Sequence, residues 1–289
     1  SAVYEIPNPY AEADLFDIHY VQSNDVLTLV HPNYAPRELR RLGNTKWVLS
    51  TISFAATVTG PASVTTSPTG GSTSPIDRYT YGVTAIDADG SESIMTSGTQ
   101  VGPLNLGNAG AYVTITWPAV TGAVAYNIYK QSNYESFGFI GQTDSVNTTF
   151  IDNNIAPDLS RTPPLTTNPF ATDYPAAVTY FEQRRGFFGT ALKPQNGWLT
   201  KSGLESNLSA SKPVRDADAI TFKVSARELN IIRHAVPLNS LILLTSAAEW
   251  RVASVDSGAL TPDSVSIRPQ SYIGSSNVQP VVVNNNLIF

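Results

Sequence analysis

Twenty prolines and nineteen glycines are spread through this 289-residue chain, and they leave no room for a long helix. Between them lie short runs of β-branched and aromatic residues: Val26-Leu27-Thr28-Leu29-Val30, Trp47-Val48-Leu49, Ile220-Thr221-Phe222-Lys223-Val224 and Leu241-Ile242-Leu243-Leu244-Thr245. Such runs have the length and composition of strands. Helical periodicity is confined to two short stretches, Pro36 to Leu42 and Ala226 to His234. The expected class is all-β.

Composition removes several functions. Charged residues make up 14 % of the chain, against about a quarter in average soluble domains, and the net charge is −5. Strong general affinity for a nucleic-acid backbone needs clustered excess Lys and Arg, which this balance does not supply. Cysteine is absent, which excludes disulfides, Cys-ligated metals and thiol nucleophiles. No apolar run approaches the ~18 residues of a membrane-spanning helix. The start, Ser1-Ala2-Val3-Tyr4, shows no basic region leading into an apolar one, so no secretory leader is expected. The end, Val281-Val282-Val283-Asn284-Asn285-Asn286-Leu287-Ile288-Phe289, reads as an open strand edge, to be covered by further chain or by a partner.

The middle differs from its flanks. Residues 55–168 are rich in Ser, Thr, Gly and Pro, and their only basic residues are Arg78, Lys130 and Arg161. Thr65–Pro75 and Arg161–Pro169 read as linkers. The expected organisation is a domain of residues 55–168 inserted into a body made of 1–54 and 169–289. Within the insert, Tyr79-Thr80-Tyr81-Gly82-Val83-Thr84-Ala85-Ile86 alternates and then turns through Asp87-Ala88-Asp89-Gly90-Ser91-Glu92-Ser93. Val113-Thr114-Ile115-Thr116-Trp117-Pro118 is followed by Tyr126-Asn127-Ile128-Tyr129, then by Phe139-Ile140-Gly141 and Thr149-Phe150-Ile151-Asp152. These segments resemble strand F with its hairpin into G, strands B and C, and strands C′ and E of a fibronectin type III sandwich. The order is circularly permuted, because the F–G hairpin comes first. Chain ends opened at one loop lie side by side, which suits insertion into a host domain.

With the insert removed, the apolar runs at Val26, Phe187, Leu241 and Leu287 recur at intervals of about 47, 54 and 46 residues. A period of ~40–50 residues in an all-β chain points to propeller blades, each a small antiparallel sheet. The expectation is a partial β-propeller-like body, with a sandwich or barrel carrying long loops as the alternative.

Catalytic constellations are poor. His19, His31 and His234 are far apart and sit in no nucleophile–base motif, so structural roles are expected for them. No spacing selects a carboxylate pair from Asp14, Asp17, Asp25, Glu182, Asp216, Asp218 and Glu249. No phosphate loop, GxGxxG or HExxH occurs, and no catalytic, cofactor or metal residue is expected. Carboxylates at alternate positions before Gly90 have the look of a calcium loop, but position twelve counted from Asp87 is Gly98, and a hairpin turn explains Asp and Gly there. Arginines cluster at Arg37, Arg40 and Arg41, at Arg184 and Arg185, and at Arg227 and Arg233. They read either as surface salt-bridged by Glu38, Glu182 and Glu228 or as intersubunit contacts, with Arg40, Arg41, Arg184, Arg185 and Arg233 the interface candidates.

Three flank segments carry a second resemblance. They are Asp14-Leu15-Phe16-Asp17-Ile18-His19-Tyr20 through Val30-His31-Pro32 with Arg37-Glu38-Leu39-Arg40-Arg41 and Trp47; Tyr174-Pro175 through Phe181-Glu182-Gln183-Arg184-Arg185-Gly186-Phe187-Phe188-Gly189-Thr190 and Pro194-Gln195-Asn196-Gly197-Trp198; and Asp218-Ala219-Ile220 through Leu241 to Trp250. The flanks resemble the tail nozzle proteins of short-tailed bacteriophages, also called tail tubular protein B or packaged-DNA stabilisation proteins. The resemblance implies a structural, non-enzymatic virion protein in the tail, needing no cofactor. It implies a six-fold homo-oligomeric ring below the portal and adaptor, whose channel retains and then passes double-stranded DNA without gripping it. The sandwich would face tail fibres or spikes. Six copies would carry about −30 in formal charge, which suits passage of a polyanion. The rival expectation is a carbohydrate-binding or carbohydrate-active propeller with a fibronectin-like module, which would display a Trp/Tyr platform beside a carboxylate pair.

Overall fold

The computed structural model describes residues 4–54, 56–70, 74, 76–164, 168–210, 214–225, 230–256, 258–284 and 286–289. Among them the only helical element is a 3-10 turn, Glu12–Asp17; everything else regular is strand. The helix expected over Pro36–Leu42 is instead the middle of strand β3, Tyr34–Gly43, held in register on both sides. Ladder pairing there outweighs a helical period only seven residues long. In the second expected helix, Ala226–Leu229 lie outside the described residues and Ile232–Pro237 is a strand.

The chain divides into two compact units, one built from Ser1–Phe54, Asn168–Ala210 and Val214–Phe289, the other from Ala55–Thr167.

The first unit is a series of antiparallel meanders. Strands β1 (His19–Ser23), β2 (Val26–His31), β3 and β4 (Lys46–Thr51) pair in chain order. After the inserted unit, which holds β5 to β12, the same pattern returns. Strands β13 (Ala177–Phe181), β14 (Arg184–Phe188), β15 (Asn196–Leu199) and β16 (Ile220–Lys223) pair in order, and so do β17 (Ile232–Pro237), β18 (Leu241–Thr245), β19 (Glu249–Ser254) and β20 (Val265–Ser271). A two-stranded sheet follows, β21 (Val281–Val283) with β22 (Asn286–Ile288). Val26, Phe187, Leu241 and Leu287, the four positions of the sequence repeat, all fall in the second strand of their sheet. No sheet among the described residues closes on itself.

Strand β14 shows how these sheets are held together. All five of its residues are buried, because both faces of its sheet are covered. Successive side chains point to opposite faces. Phe188 joins the core that binds this sheet to the next, with Leu199, Phe222, Ile232, Leu243, Trp250 and Val252. Phe187 joins the core that binds it to the first segment, with Val30, Ile52, Phe54, Phe170, Val178 and Trp198. Residues more than a hundred positions apart therefore share one interior. Gly186 lies between the two phenylalanines because a Cβ there would stand 2.5 Å from the Phe188 ring and 2.7 Å from Leu199.

The inserted unit is a two-sheet structure. One sheet runs β12 (Thr149–Asp152), β9 (Tyr112–Thr116), β5 (Thr65–Thr69). The other runs β11 (Gly138–Asp144), β10 (Ala125–Ser132), β6 (Asp77–Ile86), β7 (Thr96–Ser97), with β8 (Val101–Leu104) also on β6. Alternate residues of both sheets, among them Tyr81, Val83, Val113, Ile115, Tyr126 and Ile128, form one core with Trp117. The stretch Thr65–Thr69, expected as linker, is an edge strand; Pro68 is tolerated there because an edge leaves one side of the backbone unpaired. A buried ion pair ties the sheets: Lys130 Nζ on β10 lies 2.8 Å from Asp152 Oδ2 on β12, and the Tyr81 hydroxyl donates to the same oxygen at 2.8 Å.

Candidate functional site

The three histidines, distant in sequence, meet in space. His19 lies on β1, His31 ends β2 and His234 lies on β17. Strand β1 packs on β13, and β13 packs on β17, so the first strands of three successive sheets converge. At that junction the rings of His19 and His234 stack with centroids 4.9 Å apart and planes 9° from parallel. A cleft of about 360 Å³ opens beside them, lined also by His31, Asp14, Asp17 and Arg233.

Each ring has a defined role. His31 is buried, and its Nδ1 accepts the Asn33 N–H at 3.0 Å, which places the proton of the neutral ring on Nε2. His234 is buried as well; its Nε2 donates to the Ser276 carbonyl at 3.1 Å. Burial, then the Arg233 charge, hold His234 below the usual imidazole range, against the opposing pull of the Ser276 bond. His19 is pushed down to about 4, first by burial, then by His234 and His31, with Asp17 pulling the other way. Two stacked imidazoles in a desolvated junction resist sharing two positive charges. None of these bonds forms a nucleophile–base–carboxylate relay: His31 receives a backbone N–H, and His234 is spent on a carbonyl. Among the described residues no group of three or more His, Asp or Glu is arranged to hold a metal ion. The arrangement is a junction of histidines where the sheets meet. Sequence spacing could not reveal it, since His31 and His234 stand 203 positions apart.

The interface candidates fall in two groups. Arg184 and Arg185 are buried. Arg184 donates to the carbonyls of Thr200, Asp218 and Asp216 at 2.6–2.8 Å, clasping the loop between β15 and β16. Arg185 points to the side of β14 that faces the first sheet. There its Nη1 meets Glu38 Oε1 at 2.6 Å, and its Nη2 bonds Glu205. Burial works against the Arg185 charge, but Glu38, Tyr180 and Glu205 outweigh it and raise its pKa. Burial likewise opposes the Glu38 charge, and Arg185 with Arg40 wins, holding that carboxyl below its ordinary value. Both guanidinium groups are thus committed inside the chain, which agrees with the salt-bridged reading of the arginines for Arg185 but in a buried rather than a surface setting. Arg40 and Arg41 are exposed, bonded to Glu38 and to Asp25 and Asn44. Arg233 is half-buried and donates to the Ser275 carbonyl. Arg227 lies outside the described residues.

The Asp87 segment is a turn clasp. Asp87 Oδ2 accepts from the Thr57 N–H and hydroxyl, and Oδ1 from the N–H groups of Asp89 and Ser91, at 2.8–3.1 Å. These bonds overcome burial and lower its pKa. Glu92 points away, accepting from the hydroxyls of Thr84 and Tyr129.

No protein-family model matches this chain, and a search of curated proteins returns no match.

Proposed function

We propose that this chain is a structural subunit of the tail nozzle of a short-tailed bacteriophage, one copy of a six-fold ring through which genomic DNA is held and then passed. The observation that carries the reading is the series of meanders over residues 19–51, 177–223 and 232–271, whose first strands pack together at one junction. A blade-built body has this chain order and this shared inner edge. The two-sheet insert supports the fibronectin type III part of the reading. The segments read as E and B share one sheet, those read as C′, C and F the other, as in sandwiches of that architecture. The net charge of −5 favours a channel that does not grip phosphates.

The carbohydrate reading finds less support. Three of the four tryptophans, Trp117, Trp198 and Trp250, are buried in cores and offer no stacking platform, and Trp47 is half-buried. The test is the mass of the purified chain in solution. Six copies of 31.0 kDa give about 186 kDa; a species that stays near 31.0 kDa at high concentration contradicts the ring.

A further inference from the structure

Strands β19 and β20 carry an arrangement that a folded sheet normally avoids. Arg251 and Arg268 are direct cross-strand partners, the only like-charged pair in the registers among the described residues. Like charges directly opposite one another destabilise a sheet. Both are exposed, and neither has a carboxylate partner among the described residues; Arg251 Nε reaches only the Ser240 hydroxyl at 3.2 Å and Arg268 Nε only that of Ser266 at 3.3 Å. Between them opens a cleft of about 210 Å³, lined also by Ala253, Ser254 and Ser266. Small and hydroxyl-bearing side chains keep the space between two guanidinium forks open, and such forks are matched by planar carboxylates.

The chain also carries a complementary piece. Its first thirty-six residues contain Glu5, Glu12, Asp14, Asp17 and Asp25 and no Lys or Arg. The 3-10 turn Glu12–Asp17 buries none of its residues, and Phe16 at its tip is 99 % exposed. Glu12 and Asp17 have no ion-pair partner among the described residues. At the rim of the same cleft, Val255 is 63 % exposed. An acidic turn with an apolar tip thus matches a basic slot with one exposed apolar side chain at its rim.

We propose that the Arg251–Arg268 slot receives the acidic turn Glu12–Asp17 of a second copy of this chain. Plug and socket are different surfaces, so the contact is heterologous, and heterologous contacts repeat head to tail until a ring closes. The inference rests on the ring reading above and names the contact that builds it. An interface of exposed charges weakens with salt and draws partners together over about 10 Å at 0.1 M.

The experiment is sedimentation of full-length variants at low salt, with circular dichroism to confirm that each is folded. Arg251→Glu with Arg268→Glu, or Glu12→Arg with Asp17→Arg, is expected to lower the mass to that of one chain. All four changes in one chain are expected to restore the oligomer, because the charges again match. The milder pair Arg251→Gln with Arg268→Gln is expected to weaken assembly at least tenfold. An oligomer that survives either charge reversal overturns the slot and leaves the ring reading standing. A monomeric wild type overturns both. Failure of the fourfold variant to reassemble, with each half reversal folded, also overturns the pairing.

Discussion

Glu38 sits between a buried arginine and an exposed one, and the two contacts differ greatly in worth. Breaking a buried pair leaves an uncompensated charge in the interior, at about 3–5 kcal/mol, whereas exposed pairs contribute ~0–1 kcal/mol. Glu38→Ala, which strands Arg185, is therefore expected to destabilise the protein by about 3–5 kcal/mol in urea unfolding, and Arg40→Ala by no more than ~1 kcal/mol. Equal losses would show that Glu205 alone satisfies Arg185. The histidine joint gives a pH signature. His19 has a folded pKa of about 4 against an ordinary value of 6.5, so the unfolded chain binds the extra proton between those values. Stability is then full above pH 6.5 and falls as pH drops towards 4, by at most about 1.4 kcal/mol per pH unit from this group. His234, also held down, adds in the same direction. The lowered carboxylates Glu38 and Asp87 act in a lower window, as pH falls below their ordinary values of 4.5 and 3.8. His19→Asn is expected to flatten the decline between pH 6.5 and 4 while leaving the lower one. An unchanged profile would show that His19 does not titrate in the junction. The Arg40–Glu38 pair was legible in the sequence as a surface salt bridge, but the buried pairing of Arg185 and the histidine joint were not. Three isolated histidines and a double arginine have no local signature, because their partners arrive through pairing across an insertion.

Strands were more readable than their edges. The apolar runs at Val26, Phe187 and Leu241 mark the second strands of the three four-stranded sheets, each flanked by a strand on both sides, whereas the run at Leu287 falls in an exposed two-stranded sheet. Thr65–Thr69 was unreadable for the opposite reason: an edge strand of Thr, Ser and Pro has the composition of a linker, and only its ladder to β9 makes it a strand. Tyr34–Gly43 mimicked a helix because Leu39 and Leu42 happen to fall at a helical interval in a long hairpin arm. The insertion itself was visible as a fall in basic residues. Phe54 and Phe170, which border it, touch edge to face with centroids 5.1 Å apart, so the body holds the two ends of the inserted segment together. Replacing residues 55–168 by a short Gly/Ser linker is expected to leave the remainder with a single cooperative thermal transition. Loss of that transition would show that the flanks do not form a body of their own.

At the scale of the whole molecule, charge and topology bear on the same reading. A conduit for DNA is served by a wall that does not bind phosphates, since each phosphate neutralised by Lys or Arg adds affinity and friction. Arg184 and Arg185 are withdrawn into the fold, and Arg40 is partly neutralised by Glu38, which removes basic charge from any inner wall they would otherwise line. The resemblance to nozzle proteins, the repeated meanders and the acidic balance all favour a ring with acidic or polar lumen loops and arginines between copies. The measurement that tests this most directly is a reconstruction of the assembled particle by electron cryomicroscopy, resolved well enough to assign the residues of its inner wall. The account predicts six-fold symmetry around an open channel lined by acidic and polar side chains. A particle without a channel, or a channel wall dominated by arginine and lysine, would contradict it.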